Sequence, residues 1–170
     1  MYIKAKKSLG QNFLVDREVL DQIVSIVDIV DKEILEVGPG SGNLTSYILK
    51  KKPNKVFVIE KDDELALLLK EKFANQIEII NDDILNIAEH KISNQKLVVF
   101  GNLPYNISTE ILSKWITNIG KIFWFESLVL MFQKEVANRI IAESNNSKYG
   151  RLSILTNWKL NVKKIIDIKP

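Results

Sequence analysis

The sequence predicts an α/β fold, a mostly parallel sheet with helices on both faces. Short apolar runs rich in Val, Ile and Phe alternate with amphipathic stretches of helical period. No repeat, low-complexity tract or linker interrupts the alternation, so the 170 residues read as one domain. The chemically suggestive residues fall where the apolar runs end, which is where open α/β sheets bind ligands.

The elements follow in order. Asp16 is an N-cap candidate for a helix with Val19, Leu20, Ile23, Val24 and Val27 on one face. Glu33 to Gly38 reads as a buried strand ending in glycine, and Gly42 to Lys50 as a helix closed off by Pro53. Lys55 to Glu60 is a second strand, and Asp62 caps a helix that turns Leu65, Leu68 and Leu69 inward. Gln76 to Ile80 and Lys96 to Phe100 are the third and fourth strands. Ile107, Ile111, Leu112, Trp115, Ile116 and Ile119 mark an amphipathic helix. Ser127 to Phe132 is a fifth strand, followed by a helix through Ile140, a helix over Arg151 to Trp158, and a last strand over Val162 to Ile168. Trp115 and Trp124 are assigned to core or sheet-edge packing, and Trp158 to the core.

Bulk properties exclude several classes. Hydrophobic residues make up 46% and charged residues 26%, ordinary for a globular chain that can bury a core without staples. With no cysteine there are no disulfides or thiolate metal sites, and one histidine, His90, is too few for a histidine metal site. No metal is expected. The longest apolar runs, such as Leu128 to Phe132, fall far short of the ~20 residues a membrane helix needs. Met1 to Gly10 lacks the apolar core of a signal peptide, so a cytoplasmic location is expected. Net charge is +3, with basic residues gathered at the ends: Lys4, Lys6 and Lys7 at one, Lys148, Arg151, Lys159, Lys163, Lys164 and Lys169 at the other. Such ends suit a polyanion, or are simply solvated lysines.

Three features suggest a nucleotide-type site. Glu36-Val37-Gly38-Pro39-Gly40-Ser41-Gly42 puts glycines between the first strand and its helix, where the backbone must turn sharply and approach a ligand. Pro39 removes a backbone donor, and the G-x-G-x-G spacing differs from the G-x-G-x-x-G pyrophosphate fingerprint. A ligand without phosphates fits better. S-adenosylmethionine, with its cationic sulfonium and amino-acid end, suits a loop preceded by an acid. Glu60, ending the second strand, can take both hydroxyls of a ribose. Asp82-Asp83, after the third strand, offers a carboxylate to an adenine amino group, though two adjacent aspartates also make a plain turn.

The fourth strand ends in Phe100-Gly101-Asn102-Leu103-Pro104-Tyr105. The exocyclic amine of adenine is a poor nucleophile because its lone pair is delocalised into the ring. A site for it needs hydrogen-bond acceptors that hold the amino hydrogens and turn the lone pair toward a methyl donor. The Asn102 side-chain oxygen and a backbone carbonyl of Leu103 or Pro104 can do this. Pro104 stiffens the turn, and Tyr105 offers a face for an unpaired base. The alternative is a tight turn with a buried tyrosine.

These motifs, with Gly10-Gln11-Asn12-Phe13-Leu14, Asn106-Ile107-Ser108-Thr109, Gln133-Lys134-Glu135-Val136-Ala137 and Tyr149-Gly150-Arg151-Leu152-Ser153, resemble the rRNA adenine N6,N6-dimethyltransferases. The resemblance spans nearly all of Lys7 to Pro170. It implies the Rossmann-like class I S-adenosylmethionine-dependent methyltransferase fold, with residues 1–170 forming the catalytic domain. It implies that Asn12 and Leu14 line the cofactor pocket, that Gly38 lies under the methionine portion, that Gly40 also belongs to the cofactor site, and that Glu60 binds the ribose. Asp83, rather than Asp82, matches the adenine-binding aspartate. Asn102 matches the residue that contacts cofactor and target base, and Tyr105 the stacking aromatic. Phe13 and the lysines before it are placed near the RNA entrance. The implied substrate is a pair of adjacent adenosines near the 3′ end of small-subunit rRNA, in a precursor particle, with the enzyme a monomer.

The family pattern continues with a proline-rich loop, a final strand and a small helical RNA-binding domain, so a sheet lacking its last strand is expected here. Several other readings use the same residues. One is a macrolide-resistance-type enzyme acting on large-subunit rRNA, and another a fragment that binds cofactor or RNA without turnover. A DNA adenine methyltransferase would carry a second proline where Leu103 stands. An NAD dehydrogenase would need a phosphate loop and an acid–base residue, and His90 lies in a polar stretch. Arg139 and Arg151 are candidates for RNA contact or for plain surface roles.

Overall fold

The structure, a computed structural model, describes residues 14–120 and 123–168. Asn12, Phe13 and the lysines before them lie outside the described residues. Five parallel strands form one sheet in the order β3-β2-β1-β4-β5, where β1 is Glu33–Val37, β2 Lys55–Ile59, β3 Glu78–Ile80, β4 Leu97–Asn102 and β5 Phe125–Met131. Parallel neighbours need crossover connections; α2 Asn43–Lys50, α3 Asp63–Phe73 and α4 Ser108–Thr117 lie in three of them, and the 3₁₀ turns Ile84–Asn86 and Glu89–Lys91 lie between β3 and β4, while α1 Arg17–Val24 precedes β1 and α5 Lys134–Ile140 and α6 Arg151–Lys159 follow β5.

The two faces of the sheet carry separate cores because side chains alternate along a strand. Ile34, Val56, Val58, Val98 and Phe100 point to the side covered by α1, α2 and α3. Leu35, Val37, Phe57, Ile59 and Val99 point to the other, where Ile111 and Trp115 of α4 cover them. Trp115 is fully buried, with Trp124 edge-on at 5.7 Å between ring centroids. A third cluster joins Leu112 and Ile116 of α4 to Ile140 of α5 and Leu152 of α6.

The local start signals act as expected. Asp16 accepts hydrogen bonds from the Glu18 and Val19 N–H groups at the head of α1, and Asp62 accepts from Glu64 N–H at the head of α3. Leu65 and Leu69 are buried and Leu68 half-buried, as the pattern required.

Three expectations are corrected. Ala74–Gln76 is a 3₁₀ turn, so the third strand begins only at Glu78. Residues Val162 to Ile168 form no strand: Val162 packs against the α4–α6 cluster and Ile166 against the α1–α3 core, and the segment makes no ladder with the sheet. Trp158 is not core. It is 65% exposed on the outer face of α6, where the Lys159 ammonium lies 4.3 Å from its ring centroid. Among the described residues, β5 therefore has a ladder partner on one side only, β4.

Candidate active site

Parallel register brings the sequence-predicted residues together. Val37 pairs with Ile59 and with Gly101, and Ile59 pairs with Ile80, so the carboxyl ends of β1, β2, β3 and β4 lie side by side. The glycine loop, Glu60, Asp83 and Asn102 each follow or end one of these strands.

The loop is built by backbone conformation. Gly38, Gly40 and Gly42 have φ of 70°, 57° and 74°, a left-handed region that costs a side-chain-bearing residue roughly 1–2 kcal/mol. Gly38 also sits close to the neighbouring loop: its N–H donates to the Ile59 carbonyl at 3.0 Å, and a Cβ on it would lie 3.2 Å from the Asn102 carbonyl oxygen. The Pro39 carbonyl accepts Gly42 N–H at 2.9 Å and closes the loop. From outside, the Lys72 ammonium donates to the Ser41 carbonyl at 2.9 Å. Leu14 stands at the same corner, half-buried, its carbonyl accepting from the Asn43 side chain at 2.9 Å.

Two buried carboxylates flank this loop. Glu60 accepts from Gly40 N–H at 3.1 Å with one oxygen and from Asp62 N–H at 2.9 Å with the other. Burial pushes its pKa up, against those backbone bonds. Asn81 donates to the Glu60 carbonyl at 3.0 Å and ties the β2 and β3 ends together. Glu36, one residue before Val37, is 1% exposed and accepts from the Thr45 hydroxyl at 2.7 Å. The acid ahead of the glycines therefore points into the α2 side of the core and steadies the helix that follows the loop. The Glu60 carboxylate, held against the loop by the Gly40 N–H, opposes an anionic pyrophosphate at that place.

Glu36 has a consequence for stability. Burial raises its pKa from 4.5 to about 7, with the Thr45 hydrogen bond opposing and the Glu60 charge assisting. The folded chain thus holds this proton more tightly than the unfolded chain. Its contribution to stability is complete below 4.5 and is lost as pH rises to and through about 7. That interval corresponds to roughly 3 kcal/mol, an order-of-magnitude figure. Thermal unfolding is expected to show a melting temperature falling between about pH 5 and about pH 8, and Glu36→Gln is expected to flatten the fall. An unchanged slope in the variant would reject Glu36 as its source.

Asp83 is half-buried. One of its oxygens caps the Leu85 N–H at 3.0 Å and the other meets the Lys61 ammonium at 2.7 Å, a bond that leads the causes of its lowered pKa. Asp82 is exposed and accepts from its neighbour's N–H and from the Asn86 side chain. Both aspartates bond within the turn, and Asp83 is the less exposed of the two.

Asn102 ends β4, paired with Met131 of β5. Leu103 is buried, and a Cβ on Gly101 would lie 2.9 Å from its side chain, so the strand passes directly into a packed turn. The Pro104 carbonyl accepts Ile107 N–H at 3.1 Å, and α4 starts at Ser108. Tyr105 is 39% exposed at the tip, with its ring outside the core. It is not the buried tyrosine of a plain tight turn.

The chain matches the family described as Ribosomal RNA adenine dimethylase over residues 2–170. It belongs to that family. The Ribosomal RNA small subunit methyltransferase A of Pelagibacter ubique (strain HTCC1062) is 77% identical over 170 residues, covering 100% of this chain and 65% of that protein. The chain therefore spans just under two thirds of the length of that relative. Among solved structures, a dimethyladenosine transferase from Plasmodium falciparum superposes with a TM-score of 0.73 at 31% identity, covering 86% of this chain and 52% of that one. The 23S rRNA methyltransferase ErmE gives 0.68 at 28% identity, covering 85% and 55%. The family fold is the Rossmann-like class I methyltransferase sheet that the resemblance implied, and it agrees with the parallel α/β sheet that the alternation of elements predicted, with five strands among the described residues.

As a family member the chain has one cluster beside the site that sequence reading missed. Glu89, in a short 3₁₀ turn, is buried and bonded to Lys114 and Trp115 of α4. Its neighbour His90 is exposed, as are Arg139 and Arg151. Among the described residues no group of three or more His, Cys, Asp or Glu could hold a metal, and no helix is long and apolar enough to cross a membrane.

Proposed function

We propose that this chain is the catalytic domain of an enzyme that transfers methyl groups from S-adenosylmethionine to the N6 amines of adenosines in ribosomal RNA. The substrate proposed is two adjacent adenosines near the 3′ end of small-subunit rRNA, met in a cytoplasmic precursor particle by a monomeric, metal-free enzyme. The observation that carries it is the Asn102–Tyr105 turn, held at the end of β4 against a left-handed Gly38 in the adjoining loop. The 77% identity to a small-subunit methyltransferase supports that target over a large-subunit one.

The donor set fits the cofactor. Glu60 places a carboxylate against the loop, which suits a ligand that carries hydroxyls and positive charge and bears no phosphate. Backbone N–H groups fix the Glu60 carboxylate, and its remaining lone-pair capacity is available to ribose hydroxyls. Asp83 would accept from the adenine amino group. Leu14, with Asn12, would border the pocket at the start of α2, and Gly38 and Gly40 leave the space for the methionine portion. When bound, S-adenosylmethionine supplies an electrophilic methyl group.

The chain's own residues do the positioning. The Asn102 side-chain oxygen and one carbonyl of the turn accept the two amino hydrogens of the target adenine and direct its lone pair outward. Because the Pro104 carbonyl already closes a turn with Ile107, Leu103 is the favoured carbonyl. Tyr105 stacks on the base, and the gain is mainly one of orientation.

Calorimetric titration with S-adenosylmethionine is the direct test. Tight binding is expected, weakened about 10- to 100-fold by Glu60→Ala, as loss of hydrogen bonds to a charged group requires. A folded wild-type chain that binds none would overturn the proposal.

A further inference from the structure

Helix α4 leaves the Asn102–Tyr105 turn directly, while the segment after β3 carries Asp83 and then continues through the 3₁₀ turns Ile84–Asn86 and Glu89–Lys91. One ammonium group joins the two. Lys114 of α4 donates to the Ile84 carbonyl at 2.8 Å, to the Ile87 carbonyl at 2.6 Å and to the Glu89 carboxylate at 2.6 Å. The same Glu89 oxygen accepts the Trp115 indole N–H at 2.7 Å. Glu89 is buried, and Trp115 is fully buried in the sheet-side core, so the carboxylate cannot shift without disturbing the packing of α4.

A buried ion pair is a poor way to gain stability alone, since apolar side chains of similar volume hold elements together as well or better. An ammonium with three convergent acceptors adds direction. It fixes the rotation and height of the turn against the helix, which apolar contact does not. Ile84 is bonded through its carbonyl and follows Asp83 in the chain. Asp83 in turn caps Leu85 N–H, so its carboxylate is anchored to the clamped turn. The Lys61 hydrogen bond does most to keep Asp83 ionised, and the Lys114 charge adds to it.

We propose that Lys114 and Glu89 are positioning residues of the active site: they lock the Asp83 turn in register with the helix that follows the Asn102 turn, and thereby set selectivity for the base of the cofactor. The inference rests on the proposed role of Asp83 as acceptor for the adenine amino group. It predicts that the clamp governs discrimination between adenine, which donates at position 6, and hypoxanthine, which accepts there.

The test is to measure affinities for S-adenosylhomocysteine and S-inosylhomocysteine by calorimetry on the full chain. Wild type is expected to prefer the adenine compound by at least about tenfold, the effect of one charge-assisted hydrogen bond. Lys114→Met is expected to bring the ratio to within about threefold of one. Because Lys114→Met strands the Glu89 charge, Glu89→Gln/Lys114→Met is measured beside it. This variant removes both charges and keeps an acceptor for the Trp115 indole. A general loosening of structure would weaken both ligands alike and leave their ratio unchanged. An unchanged ratio in the folded variants overturns the clamp and leaves the Asp83 assignment standing. A wild-type ratio near one removes Asp83 from the adenine site and the clamp with it, and intact cofactor binding in that case would leave the methyltransferase assignment in place.

Discussion

Replacing Asn102 by alanine is expected to slow methyl transfer about 10²–10³-fold, the cost of removing one pre-set polar group from a reacting centre. The side chain stands at the last residue of β4, where the ladder to β5 fixes its backbone and the close approach of Gly38 fixes the loop beside it. Alanine keeps a β-compatible backbone and removes the side-chain amide, the acceptor included. The loss should therefore appear mainly in the rate of the chemical step, with a smaller change in cofactor affinity. Single-turnover transfer of labelled methyl groups to small-subunit particles, read with the cofactor affinity of the same protein, separates the two. A rate within about threefold of wild type would remove Asn102 from the proposed chemistry.

Gly42→Ala is expected to destabilise the fold by about 2–5 kcal/mol, summing roughly 1–3 for overpacking and 1–2 for a left-handed backbone. A Cβ at this position would lie 2.5 Å from the Phe73 ring and 2.9 Å from the Leu69 side chain, and both residues are buried on α3. Gly42 is also the N-cap of α2 with φ of 74°, so strain and clash fall on the same residue. Denaturant unfolding should show a lower midpoint with an unchanged slope. A cost under about 1 kcal/mol would mean that α3 can retreat from the loop and that the packing is looser than the distances state.

Much of the fold was legible because its signals are local. Asp16 and Asp62 cap helices through bonds to residues two or three positions away, and the apolar period of Ile111, Leu112, Trp115 and Ile116 marks a buried helix face without reference to anything else. The misses came where a local pattern competes with distant packing. Trp158 is as apolar as Trp115, yet it falls on the outward side of α6, and only the rotation of that helix on its neighbours decides this. Val162 to Ile168 looks strand-like, but a strand exists only where a ladder forms, and this segment packs Val162 and Ile166 onto helix clusters without pairing to the sheet.

The candidate site divides the same way. From residue types and order alone came the glycine loop, the acid at the end of β2 and the Asn-Leu-Pro-Tyr turn, since each chemistry needs those groups at the end of a strand. Spacing alone did not choose between Asp82 and Asp83, the family resemblance favoured Asp83, and the turn directs Asp83 toward Lys61 and Leu85. Sequence reading took the acid before the glycines as suited to the ligand, and the structure adds that Glu36 is buried and bonded to Thr45 of α2. It did not show the Glu89–Lys114 clamp, whose partners lie far apart in the chain and meet only when α4 docks on the sheet. Local hydrogen bonding and hydrophobic period, which act over a few residues, determined the elements and their polar ends. Side-chain direction and pairing across elements depend on how those elements rotate and stack, and the tertiary structure alone decided them.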